Sequence, residues 1–98
     1  MNNPIYQIFN TQKTNIQNVK LITDAANKGI ELMNREIDYA LLNAYQNYII
    51  SILNIVSNNT KTNYIDLYNR FCISNCYLSC YDQLKRNIEF LIDLAKRL

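Results

Sequence analysis

The residues of this chain that are best suited to chemistry are its three cysteines, which lie four residues apart at Cys72, Cys76 and Cys80. Residues with this spacing share one face of a helix, and two thiolates placed this way could hold a soft metal such as Cu(I) or Zn²⁺. A tetrahedral zinc site would need a fourth ligand, because the chain contains no histidine. Asp82 or a cysteine of a second chain could supply it.

Two other interpretations of these cysteines are open. We see no secretory leader, so we expect a cytoplasmic protein whose cysteines stay reduced. A reduced cysteine is a small apolar residue that is readily buried. Oxidation between chains, or redox sensing, is the remaining possibility. We interpret Cys72, Cys76 and Cys80 as part of a helix interior, and we predict neither a bound metal nor a cofactor.

The other side chains do not form a recognisable catalytic set. The chain has one glycine, which is too few for a glycine-rich phosphate loop. Four serines lack an obvious base, namely Ser51, Ser57, Ser74 and Ser79. The net charge is only +2, and the bases do not cluster as they do in nucleic-acid-binding proteins. We therefore expect a protein that is not an enzyme and does not bind nucleic acid.

The elements that position these residues are predicted to be long helices. One Gly and one Pro in 98 residues leave little room for turns, so we expect a single all-α domain. Residues 1–13 are predicted to be a short lead-in arm or helix, in which Pro4 suits the first helical position. A helical hairpin domain follows over residues 14–98. It has one helix at about 14–57, a turn at 58–62 and a second helix at about 63–97, capped by Asn63.

Hydrophobic periodicity supports this hairpin. The first helix repeats apolar residues in steps of 4, 4 and 3, an 11-residue period that suits a nearly straight helix. Its central part is the predicted surface-binding or oligomer face, formed by Ile30, Met33, Ile37, Leu41, Tyr48, Ile52 and Ile55. Acidic and basic residues are paired at i,i+4 along both helices, at Asp24–Lys28, Glu31–Arg35, Asp66–Arg70, Asp82–Arg86 and Asp93–Arg97.

Two antiparallel helices cannot cover two wide apolar faces by themselves. We therefore predict a homo-oligomer, in the simplest case a four-helix bundle built by two chains. The charge-free run between Asp38 and Lys61 is long enough to cross a bilayer, but it is interrupted by Asn43, Gln46, Asn47 and Asn54. An integral membrane span is not expected, since each amide would be costly in hydrocarbon.

The chain resembles the phasin family, small bacterial proteins that coat polyhydroxyalkanoate storage granules. The resemblance covers about residues 5–97: a lead-in PIYQIFN, a long amphipathic helix TNIQNVKLITDAANKGIELMNREI, a short break and a second helix that begins NYIDLYNRF. The Ala-rich composition common in phasins is missing. The resemblance implies non-catalytic binding to a polyester surface inside the bacterial cell. The alternative is an oligomeric helical interaction module, such as an adaptor or a regulatory subunit that binds another helical protein.

Overall fold

The computed structural model describes the backbone of residues 4–73 and 78–98, and the side chains of residues 15–73 and 78–98. All regular structure in this part of the chain is helical, which confirms the predicted all-α class. The described residues form four helices where the sequence predicted two long ones. They are α1 (Pro4–Met33), α2 (Tyr39–Thr60), α3 (Tyr64–Ile73) and α4 (Cys80–Arg97).

The first helix begins earlier than expected. We predicted a lead-in over residues 1–13 and a helix start near Thr14, whereas α1 begins at Pro4 and continues without interruption. Proline is well suited to the first helical position, because an N–H group there has no carbonyl partner within the helix and its absence costs no hydrogen bond. No glycine or second proline follows until Gly29, so nothing in this stretch separates a lead-in from the helix.

A break at residues 34–38 divides the helix that the sequence predicted over 14–57. The last turn of α1 is tightened by bonds from the N–H groups of Asn34 and Arg35 to carbonyls three residues earlier. Asp38 then caps α2, because its carboxylate accepts a 2.8 Å hydrogen bond from the N–H of Leu41. The break allows α2 to fold back on α1, so their apolar faces meet within one chain.

The second connection lies where the segment SNNTKTN predicted a turn. Lys61 adopts a left-handed conformation (φ 56°, ψ 26°), and its N–H donates to the carbonyl of Ser57. This geometry is a common way to end a helix, although glycine is the usual residue there. Asn63 caps α3 as predicted, since its side-chain oxygen accepts from the N–H groups of Ile65 and Asp66 at 3.0 and 3.4 Å.

A further break divides the helix that was predicted over 63–97. The first part, α3, ends at Ile73, and α4 begins at Cys80. Ser79 caps α4, because its hydroxyl accepts from the N–H of Asp82 at 3.2 Å. Asp82 lies in the first turn of α4, where the helix dipole favours a negative charge.

The helix α4 packs against the other three. It runs antiparallel to α1, with Ile88 beside Gly29, while Leu91 and Ala95 lie farther back along α1. It also packs on α3, where the rings of Phe71 and Phe90 are 5.6 Å apart. The buried core is formed by all four helices. The four-helix arrangement that we expected from two long hairpins is therefore formed by four shorter helices of one chain.

Gly29 allows α1 to approach both of its neighbours closely. A Cβ atom at this position would lie 2.5 Å from the Tyr45 hydroxyl oxygen and 2.6 Å from Cγ1 of Ile88. Both distances are too short for a real contact. The only glycine of the chain thus stands where α1, α2 and α4 come together.

Candidate functional site

The predicted surface-binding face does not form one continuous surface. Ile30 is on α1 and 47% exposed, whereas Ile52 on α2 is 3% exposed and belongs to the core. Tyr48 and Ile55 are exposed on α2, at 40% and 44%. The remaining three residues are half-buried, namely Met33, Ile37 and Leu41. The face is divided because the break at residues 34–38 folds the two halves of the predicted stripe against each other.

One part of the predicted face borders a groove between α1 and α4, which we call the α1/α4 groove. Its volume is about 320 Å³, and it is lined by Ile22, Thr23, Ala26, Asn27, Ile30, Leu91, Ile92, Ala95 and Lys96. Ile22 and Leu91 are fully buried, whereas Ile30 and Ile92 are 47% and 41% exposed. The small side chains of Ala26 and Ala95 leave the space between them open. The result is a concave apolar surface with an exposed isoleucine on each helix.

A second groove, the α1/α2 groove, contains two further residues of the predicted face. Its volume is about 250 Å³, and it is lined by Lys28, Leu32, Leu41, Ala44, Tyr45 and Tyr48. The ammonium of Lys28 lies 5.9 Å from the centroid of the Tyr48 ring, at the outer limit of a cation–π contact. Tyr45 is 4% exposed and forms part of the core. This groove is therefore apolar with one cation beside it.

A third exposed apolar surface lies on α3 and was not part of the predicted face. Ile65, Tyr68 and Ile73 are exposed there, and the rings of Tyr64 and Tyr68 are 6.0 Å apart. A hydrogen bond between the Tyr68 hydroxyl and the Cys72 thiol raises the pKa of Tyr68. Ile65, Tyr68 and Cys72 follow helical spacing in the sequence, which could have identified this surface in advance.

The cysteines do not share one helix in the way that the sequence predicted. Cys72 is exposed on α3, and Cys80 is the half-buried first residue of α4, where it packs against the core. Cys76 lies outside the described residues. The prediction that the cysteines lie in a helix interior therefore agrees with the half-buried Cys80 and disagrees with the exposed Cys72. Within the described residues, no group of three His, Cys, Asp or Glu side chains is placed to hold a metal ion.

Among the residues whose side chains are described, three polar ones are buried that the sequence did not predict to be buried: Asn18, Ser57 and Asn87. The side-chain oxygen of Asn18 accepts a 2.9 Å hydrogen bond from the amide of Asn59, while its own Nδ2 has no partner among the described residues. Asn87 is fully buried in α4, and neither its Nδ2 nor its Oδ1 has a partner in that part of the chain. Asparagine is frequent in this sequence, so no pattern identified these positions.

Two of the predicted i,i+4 ion pairs are formed. Asp66 and Arg70 approach to 3.0 Å on α3, and so do Asp93 and Arg97 on α4. All four side chains are more than half exposed. Exposed pairs of this kind add little stability, so these charges mark the hydrated side of the helices rather than a reactive centre.

Within residues 4–73 and 78–98, no helix is both long enough and apolar enough to span a lipid bilayer. No family model, curated protein or solved structure matches the chain. The exposed apolar surfaces and the grooves beside them are therefore the features on which a function can be argued.

Proposed function

We propose that this chain is a non-catalytic binding protein that attaches to a hydrophobic surface, as phasins do at polyester storage granules. The observation that carries the proposal is the number of large apolar side chains that are exposed on the described helices. They are Ile16, Ile30, Tyr39, Tyr48, Ile55, Ile65, Tyr68, Ile73, Tyr81 and Ile92. Single exposed apolar residues are ordinary on a protein surface, so only those that lie together, such as Ile30 and Ile92 beside the α1/α4 groove, support an interaction site.

The α1/α4 groove is the part of the surface best suited to this contact. Ile30 and Ile92 lie on opposite helices and both are partly exposed, so one flat surface could cover both. Fully burying a large apolar side chain is worth about 1.5–3 kcal/mol, and a half-exposed one gains roughly half of that. These two contacts would therefore contribute roughly 1.5–3 kcal/mol to attachment.

The proposed location follows from the resemblance to phasins. We place the protein in the cytoplasm of a bacterial cell, at the surface of polyester granules when these are present. A fluorescent fusion of the full chain should be diffuse in cells without granules and should move to the granule surface in cells that contain them. An unchanged diffuse distribution would contradict the proposal.

A second candidate function is an oligomeric helical interaction module. The concave shape of the α1/α4 groove favours it, because amphipathic helices of partner proteins bind in apolar grooves of this kind. On this proposal the groove binds a helix of another copy or of a different protein. Sedimentation velocity over a range of protein concentrations distinguishes the candidates. A stable dimer that does not adsorb to polyester particles favours the module, and a monomer that adsorbs favours the granule protein.

A further inference from the structure

The buried amide of Asn87 destabilises the closed four-helix arrangement. The residue is 0% exposed, and both polar atoms of its side chain lack a hydrogen-bond partner among the described residues. Asn18 adds a third such atom, its Nδ2. A buried amide without partners has lost the hydrogen bonds that it would make to water, so burial of this group opposes closure of the bundle.

The position of Asn87 on α4 shows which movement would hydrate it. Ile88 and Leu91 face α1, and Phe90 faces α3. Since successive residues of a helix are rotated by about 100°, Asn87 lies between these two faces and points to the interior of the bundle. Water can reach this amide when α4 moves away from the helices that cover it.

Packing at the α1–α4 contact is also incomplete. The α1/α4 groove leaves a volume of about 320 Å³ unfilled beside Ala26 and Ala95. The groove is open to water, so apolar side chains beside it, such as Ile30 and Ile92, stay hydrated instead of being buried against a neighbour. The unpaired amide of Asn87 and one side of the open groove thus both lie on α4.

We propose that the closed bundle is the form of this protein in water, and that α4 separates from α1, α2 and α3 when the protein attaches to a hydrophobic surface. This inference rests on the proposed function, and it says how attachment proceeds. Separation hydrates Asn87 during opening, which makes the open form easier to reach. It also frees buried side chains such as Ile22, Leu84 and Leu91 to contact the surface. The exposed side chains make the first contact, and the core then supplies the larger apolar area.

The first test replaces the unpaired amide by an apolar side chain of similar size. Asn87→Leu should raise the urea midpoint of unfolding, and it should slow adsorption to polyester particles about tenfold, which corresponds to about 1.4 kcal/mol. The matched control is Asn54→Leu, which makes the same change at an exposed position of α2. The control should leave the urea midpoint nearly unchanged and should not slow adsorption.

The second test closes the α1–α4 contact reversibly. A Cβ at Gly29 would lie 2.6 Å from Cγ1 of Ile88. The two Cβ atoms are therefore at most about 4.1 Å apart, within the range for a disulfide. Gly29→Cys and Ile88→Cys are combined with Tyr45→Phe, which removes the hydroxyl that the new Cβ at residue 29 would meet, and with alanine at Cys72, Cys76 and Cys80. The oxidised protein should adsorb to the particles at least tenfold more slowly than the same protein after reduction.

Each result bears on one of the two proposals. If the oxidised and reduced forms adsorb equally fast, the proposed separation of α4 is wrong. The proposal that the protein attaches to a hydrophobic surface is then retained, with attachment as a closed bundle. Opening is also wrong if Asn87→Leu lowers the urea midpoint, or if it raises the midpoint without slowing adsorption. If the parent chain does not adsorb to polyester particles at all, the proposed function itself fails, and opening on attachment fails with it.

Discussion

The hydroxyl of Tyr45 on α2 donates a 2.6 Å hydrogen bond to the carbonyl oxygen of Ala25 on α1. Both residues are buried, so the bond joins the two helices inside the core. Burial is the main reason that the pKa of Tyr45 is raised above its ordinary value, and the neighbouring Tyr48 adds to the shift. The contact therefore makes the stability of the fold depend on pH in the alkaline range.

We predict that the free energy of unfolding falls at high pH because of Tyr45. The pKa of Tyr45 is higher in the folded chain than in the unfolded chain. Its contribution is thus fully present below the unfolded value of about 10 and is lost as pH rises above it. Tyr45→Phe should cost about 1 kcal/mol at neutral pH, from the lost hydrogen bond, and should reduce the alkaline loss. Urea unfolding followed by circular dichroism at several pH values measures both effects.

The exposed Tyr48 provides the control for this experiment. Tyr48→Phe should leave the pH dependence of unfolding unchanged, apart from a small effect of Tyr48 on Tyr45. If Tyr45→Phe shows the same alkaline loss as the parent chain, Tyr45 is not the group that titrates.

A second prediction concerns Gly29. Alanine is a better helix former than glycine by about 1 kcal/mol, so Gly29→Ala would stabilise an exposed helix. Here the added methyl group would collide with Tyr45 and Ile88. Overpacking of this kind costs about 1–3 kcal/mol, so after the gain in helix propensity we expect net destabilisation of up to about 2 kcal/mol. Urea unfolding of Gly29→Ala is compared with that of Asn43→Ala, an exposed position of α2. A more stable Gly29→Ala variant would show that the helices do not approach here.

A third prediction separates two residues of the predicted face. Tyr48→Asp places a charge at an exposed position, so the variant should fold and should adsorb more weakly to polyester particles. Ile52→Asp places a charge in the core, where an unpaired carboxylate is very costly, so this variant should unfold. Circular dichroism and the particle assay measure the two effects. Asp at Asn43 or Asn54, both exposed, should change neither. Equal adsorption of Tyr48→Asp and the parent chain would remove Tyr48 from the binding surface.

A fourth prediction concerns the cysteines. Cys80→Ala should cost about 1 kcal/mol of stability, because Cys80 packs against the core, whereas Cys72→Ala should cost less at its exposed position. Urea unfolding of the two variants measures this difference. Metal analysis of the purified parent chain should find no copper or zinc in stoichiometric amount. Metal that is retained through purification and lost in the alanine variants would establish a metal site instead.

The helical class could be predicted from residue types, but the number of helices could not. The segment NREID at residues 34–38 has neither Gly nor Pro, and the apolar spacing of Ile30, Met33, Ile37 and Leu41 continues across it. Local preference therefore favours one helix. The capping bond of Asp38 and the burial of α2 against α1 favour two. That burial depends on residues far apart in the sequence, so the apolar periodicity within one segment does not predict it.

The candidate site was predictable to a similar extent. Helical spacing identified the apolar residues, among them Ile30 and Ile55, that remain exposed. It could not show that Ile92, in the last helix, borders the same groove as Ile30. Nor could it show that Ile52 turns into the core. These relations follow from the antiparallel packing of α1 with α4 and from the fold-back of α2, which only the tertiary structure defines.

The helix α2 contains no charged residue, and Asp38 and Lys61 stand at its two ends. An acid at the beginning of a helix and a base at its end both interact favourably with the helix dipole. Between them, the outer side of α2 has no charge with which to attract or repel an approaching surface over a distance. Electrostatic steering accelerates association only where such a field exists, and added salt screens it. Contacts made through the outer side of α2 away from Lys28, whose ammonium lies 5.9 Å from the centroid of the Tyr48 ring, should therefore form at a rate that depends only weakly on ionic strength and on the sign of charge on the surface that is met.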